Sequence, residues 1–159
     1  MSAQQRLADL EELFDLLDEQ LGLYQKELLI NLNPDVQFQI KQRIKRKILP
    51  QMRQYEREYW ELYPQEAILF SDEEAKTQLA QVEQAVESIE RISPAEYSPE
   101  MVSLLQEIRA KLEESDKAAS AKLKVVLPLI PAIASYELEM DTEGFMYKVW
   151  KSIKELVRR

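Results

Sequence analysis

The chain has 159 residues, of which 21 are Lys or Arg and 29 are Asp or Glu, giving a formal charge of −8 with 45% hydrophobic residues. That length and apolar content suit a single globular domain, residues 1–159, able to bury a core. There is no His, no Cys and only two Gly, which excludes Ser-His-Asp and Cys-His catalysis, imidazole and thiolate metal sites, disulfides and glycine-rich phosphate cradles.

Asp9, Glu11, Glu12, Asp15, Asp18 and Glu19 occupy the start of the chain, where an export signal needs a basic stretch and an unbroken apolar one. The longest apolar run, Val125 to Ala134, is interrupted by Pro128 and Pro131, and a membrane-spanning helix needs roughly 20 residues. The expected location is cytoplasmic.

From Leu7, apolar residues recur at Leu10, Phe14, Leu17, Leu21, Tyr24 and Leu28. Alternating steps of three and four make a heptad seam, and leucines at 13, 16, 23 and 29 widen it toward a bundle helix. Asn31 to Asp35 breaks it, with Asn33 as the cap and Pro34 in the first turn of the next helix. So short a turn predicts an antiparallel hairpin. The second stripe runs Val36, Ile40, Ile44, Ile48, Met52, Tyr55, Tyr59 and Leu62, almost always in steps of four. Pro50 lies inside it and predicts a kink near Ile48.

Ser71-Asp72-Glu73-Glu74 is a capping box opening a helix whose stripe is Ala75, Leu79, Val82, Val86, Ile89 and Ile92, ending at Ser93-Pro94. Ser98-Pro99 starts another, with Val102, Leu105, Ile108 and Leu112 on one face. Between 122 and 140 the pattern changes to alternation, Leu123, Val125, Leu127 and then Ala134, Tyr136, Leu138, Met140, which predicts a short β-hairpin-like or extended element. An irregular apolar loop is the alternative. Thr142-Glu143 opens a last helix with Phe145, Val149, Ile153 and Leu156 on one face and Lys148, Lys151, Lys154, Arg158 and Arg159 near its end. The expected fold is mainly α with about five helices: a long antiparallel hairpin over 1–63, then a helical pair, the extended segment and a C-terminal helix over 71–159.

Two stretches carry a resemblance. Residues 7–63, with Leu10-Glu11-Glu12-Leu13, Glu19-Gln20-Leu21-Gly22, Asn33-Pro34, Phe38-Gln39-Ile40-Lys41 and Tyr55-Glu56-Arg57-Glu58-Tyr59-Trp60, resemble the helical effector-associated modules of bacterial STAND NTPase, CHAT-protease and TIR signalling proteins. Residues 121–157, with Ala121-Lys122-Leu123-Lys124, Leu127-Pro128-Leu129-Ile130-Pro131, Ser135-Tyr136-Glu137, Asp141-Thr142-Glu143 and Val149-Trp150, resemble a segment of such proteins. The resemblance implies an adaptor-like module that joins a sensor to an effector by association. It carries over no catalytic residue.

Lys41, Arg43, Lys45, Arg46, Lys47 and Arg53 fall between Val36 and Tyr55 with no acid among them, the strongest charge asymmetry in the chain. The plain reading is a solvated helix face neutralised by the acidic first helix; the functional one is binding of an acidic partner or phosphate. Nucleic acid is not expected, because the net charge opposes the steering that phosphate binding relies on. Trp60 lies one position off the core stripe and either closes the hairpin or meets a partner. Acid pairs such as Asp15 with Glu19 lack the inward-pointing partners a metal needs, and no acid-base pair is marked by its spacing. No catalytic residue, cofactor or metal is therefore expected, and the chain is read as a noncatalytic module that meets a protein partner or a second copy of itself. The rival reading is membrane association through Val125 to Ala134 and the last helix, with Lys148, Trp150, Lys151 and Lys154.

Overall fold

A computed structural model describes residues 2–64, 66, 68–92, 97–140 and 144–158, which fall into two compact units, Met1–Tyr63 and Pro64–Arg159. Helix accounts for 83% of the described residues, with no strand among them.

In the first unit, α1 (Ala3–Ile30) begins where the Ser2 hydroxyl accepts the Gln5 N–H at 3.1 Å. Leu10, Phe14, Leu17 and Leu21 form its buried face, while Leu7, Tyr24 and Leu28 at its ends are half-buried. The chain reverses at residues 31–33. Asn33 Oδ1 accepts from the N–H groups of Asp35 at 2.9 Å and Val36 at 3.4 Å, and Pro34 opens α2 (Pro34–Arg43), a position where its missing N–H costs nothing. Gln37 Nε2 closes the turn by donating to the carbonyls of Leu28 at 3.1 Å and Asn31 at 3.0 Å.

Where Pro50 predicts a kink, the helix widens. A π-helical turn, Ile44–Ile48, leads without a break into α3 (Leu49–Leu62), and the Leu49 N–H reaches back to the Ile44 carbonyl. Pro50 has no N–H and its ring crowds the carbonyl four residues earlier, so the wider turn relieves both problems. It also explains the stride of four. At 3.6 residues per turn each such step overshoots the core by about 40°, and a turn holding more residues cancels the drift, which keeps Ile40, Ile44, Ile48, Leu49 and Met52 buried. The start of α1 lies beside the end of α3: Arg6 pairs with Glu58, the Tyr59 hydroxyl donates to Glu11 at 2.8 Å, and the Phe14 and Tyr59 rings meet edge to face at 5.5 Å.

In the second unit, the Ser71 hydroxyl and the Glu74 carboxylate each accept the other's N–H, at 3.1 and 2.9 Å, and so complete the capping box of α4 (Asp72–Glu90). The Ser93-Pro94 stop predicted for α4 lies outside the described residues. Ser98 caps α5 (Pro99–Leu112), which buries Met101, Leu105, Ile108 and Leu112.

The extended element expected at 122–140 is not there. That stretch forms α6 (Ala119–Val126) and α7 (Leu129–Leu138), bent by 50° at the junction. Leu123, Val126, Leu127, Ile130, Ile133 and Ala134 are buried, and their steps of three, one, three, three and one trace a helical face that also reads as alternation over short windows. Pro128 is the cap residue of α7 and Pro131 falls in its first turn, where a proline removes no intrahelical bond. Taking the continuous rod α2 to α3 as one helix, the described residues contain seven helices rather than the expected five.

The Thr142-Glu143 opening of the last helix lies outside the described residues, and α8 spans Phe145–Arg158. Its buried residues are Met146, Trp150 and Ile153. The expected face of Phe145, Val149, Ile153 and Leu156 is thus rotated by about one residue, because α8 packs on α4 and α7 together. Glu137, on α7, is fully buried and accepts from the N–H groups of Phe145 at 2.9 Å and Met146 at 2.8 Å.

Candidate functional site

The basic stretch and the π turn coincide. Lys45, Arg46 and Lys47 all lie within the turn, with Arg43 just before it. Arg43, Arg46 and Lys47 are exposed and Lys45 is half-buried. Among the described residues none of these four has a carboxylate within 4.0 Å, so the acidic first helix does not neutralise them by direct pairing. Lys41 and Arg53, at the two ends of the stretch, are half-buried and each already engaged within the protein. π turns occur often at functional sites, and this one carries three adjacent cations on a face held in place by buried Ile44, Ile48 and Leu49.

Trp60 is not part of that face. It is only 8% exposed, its Nε1 donates to Glu56 at 3.2 Å, and its ring packs at 5.1 Å from Tyr59 and 5.6 Å from Tyr63. Those contacts correct the expectation that it is available to a partner: the widened turn shifts the buried face after Ile48 to include Leu49, Glu56 and Trp60. In the same cluster, burial raises the Tyr63 phenol above its ordinary 10.0, and the nearby charge of Glu11 adds to the shift. Arg6 and Glu58 hold each other charged through their hydrogen bonds, the acid below and the base above its usual range.

A second feature was not found from sequence. Leu29, Ile30, Leu32 and Phe38 surround the reversal between α1 and α2, and Leu29, Leu32 and Phe38 are 82%, 79% and 64% exposed. The available signals were a leucine inside an Asn-flanked turn and a phenylalanine two positions from Ile40, hence on the opposite side of α2. Further along α1, Leu16 and Leu23 are also exposed, so that Leu16, Leu23 and Ile30 form an outward line seven residues apart. Among the described residues, Leu69 is the one large exposed apolar side chain outside this unit.

The surface proposed for the rival membrane reading is largely closed. Leu127, Ile130, Ile133 and Ala134 are core, and Trp150 is buried; Lys148 and Lys151 are exposed, Lys151 lies 4.6 Å above the Tyr147 ring, and Lys154 is half-buried. Among the described residues no single helix is long and apolar enough to cross a membrane; α6 and α7 reach that length and apolar content only together, as a pair bent by 50°. Among the described residues no three carboxylates are grouped to hold a metal ion. A groove of about 100 Å³ between α4 and α5 is lined by Glu83, Glu87, Arg109 and Glu113 with Val86 and Leu112, and its guanidinium is already held by Glu90.

Comparison with protein-family models, with curated proteins and with solved structures found no match to this chain.

Proposed function

We propose that this chain is a noncatalytic interaction module, of the effector-associated adaptor type found in bacterial signalling and defence proteins, acting in the cytoplasm by helix-mediated association. The reading takes residues 1–63 as a long antiparallel hairpin that carries the association surface and the rest as a helical bundle that supports it. The observation that carries it is the line of Leu16, Leu23 and Ile30 on the outer face of α1. The inner seam of α1 is used up in its own unit, and a second apolar line at heptad spacing is what a further helix packs against. Glu12 and Glu19 flank the line and are exposed, which suits a partner helix with basic flanks, in a related module or on a surface of a second copy other than its own acidic α1.

The test is sedimentation of the chain in dilute solution, followed by pull-down from the source cells, for the natural sequence and for Leu16→Glu with Leu23→Glu. Association that the double change abolishes, with helicity retained, is the expected result. A strict monomer that recovers no partner overturns the reading.

A further inference from the structure

We infer that the end of the first unit, where α1 turns into α2, is an insertion tip for anionic bilayers: Leu29, Ile30, Leu32 and Phe38 enter the headgroup boundary while Arg43 and the cations of the π turn meet lipid phosphates above them. This inference does not rest on the association reading: the two surfaces share Ile30 alone, and the variants that test them, at Leu16 and Leu23 and at Leu32 and Phe38, do not overlap.

Three observations favour a bilayer over a protein groove. First, the apolar residues encircle the tip instead of forming one face. Ile30 projects from the side of α1 opposite Leu10 and Leu17, Phe38 from the side of α2 opposite Ile40, and Leu32 lies in the reversal itself. A fluid bilayer closes around such a shape, whereas a flat partner covers one side of it. Second, the charge is placed for it. Residues 26–47 carry six cations and two acids, a local net of +4 in a chain of −8, and Arg43, Lys45, Arg46 and Lys47 have no carboxylate within 4.0 Å among the described residues. Third, the spacing fits. At ~1.5 Å per residue Phe38 lies about 6 Å and Arg43 about 14 Å along α2 from Pro34. Interfacial segments sink roughly 5–10 Å into the headgroup and acyl boundary, which leaves Arg43 and the π turn at phosphate level with side chains long enough to reach it.

Two acids oppose the attraction. Asp35, in the first turn of α2, and exposed Glu27 both lie near the tip. Asp35 has the positive end of the α2 dipole behind it, and shallow insertion keeps it among hydrated headgroups.

The experiment is flotation of the full chain with vesicles of phosphatidylcholine alone and of an equimolar mixture with phosphatidylglycerol, at low and high salt. The chain is expected to float with the mixed vesicles at low salt, not with phosphatidylcholine alone, and to be released by salt. Arg43→Glu, Arg46→Glu and Lys47→Glu together lower the partition coefficient by at least about 100-fold, the loss of three basic contributions alone, with the repulsion of three new acids added to it. Leu32→Ser with Phe38→Ser lowers it by a similar factor through lost apolar burial. Both sets of side chains are exposed, and unchanged circular dichroism confirms the fold. Lys148→Glu with Lys151→Glu on α8 leaves binding as it was. Failure to float with the mixed vesicles overturns the inference, as does flotation that the apolar double change does not weaken. Loss of self-association in the Leu32 and Phe38 variant, with no flotation of the natural chain, assigns the tip to a second copy and also overturns it.

Discussion

Glu137 and Met146 are joined by one hydrogen bond, 2.8 Å from the buried carboxylate of α7 to an N–H in the first turn of α8. A second bond, to Phe145, makes the same side chain the cap of that helix. A carboxylate there satisfies two donors that have no intrahelical partner and faces the positive end of the dipole. Glu137→Ala strands both donors and is expected to destabilise the second unit by about 3 kcal/mol. Glu137→Gln keeps a neutral acceptor and costs about half as much. Urea titration followed by Trp150 fluorescence in a Trp60→Phe background reads the difference; equal midpoints for Glu137→Ala and the parent remove the cap from the account.

The two glycines predict opposite signs. Gly22 is helical with nothing within 4 Å of a Cβ placed on it, so Gly22→Ala gains about 0.5–1 kcal/mol from the restricted unfolded chain and helix propensity. Gly144, just before α8, has φ +72°, a conformation that a side chain resists, and Gly144→Ala loses about 1 kcal/mol. Thermal unfolding of the two variants checks both signs.

The Arg6 and Glu58 pair gives the first unit an acid-dependent increment of stability. Glu58 is held below its ordinary 4.5 by the hydrogen bond from Arg6. A lowered folded pKa means the stabilisation is complete above the unfolded value and is lost as the pH falls through the folded one. The stability gap between the natural chain and Glu58→Gln is therefore present at neutral pH and closes in acid below about 4.5. Both side chains reach solvent, so the gap is small and salt-sensitive. A gap independent of pH would assign the effect to packing.

A π turn is one residue inserted into an α-helix. Removing Lys47, which is exposed within the turn, should return the rod to α geometry with Ile44 and Met52 still facing α1, at a cost of about 3 kcal/mol because the proline ring and its missing N–H then fall inside a regular α-helix. Deleting Gln54, in regular α3, rotates Tyr59 and Trp60 by about 100° out of the core and should unfold the unit. Far-ultraviolet dichroism and Trp60 fluorescence separate the two. If both deletions behave alike, the turn does not hold the register.

Prolines show where sequence reading succeeds and where it fails. Pro34 and Pro99 follow a capping Asn or Ser, so their place at a helix start was legible. Pro128 and Pro131 lack such a cap: Pro128 itself stands at the cap position with no side-chain bond, and the same residues read as punctuation between strands. The basic stretch was visible from composition, while its position on a π turn depended on how Pro50 and the core shared one stride. Trp60 looked available because it sat one residue off an assumed stripe, and it is buried because the widened turn moved that stripe; Trp150, read with the membrane set of the last helix, is buried because α8 packs on α4 and α7 together.

The sequence by itself determined the helical class, the caps at Asn33, Ser71 and Ser98, the inner seam of α1 and the exclusion of histidine and cysteine chemistry, since all of these depend on residues within a few positions of one another. Tertiary structure decided the rest. It turned 122–140 into two core helices because apolar burial outweighs a two-residue alternation, rotated α8 onto Trp150 because α4 and α7 meet it together, and placed Glu137 beneath an N-terminus eight residues away. It also left Leu29, Leu32 and Phe38 uncovered, because whether an apolar side chain is buried depends on which neighbours reach it, and no local pattern records that.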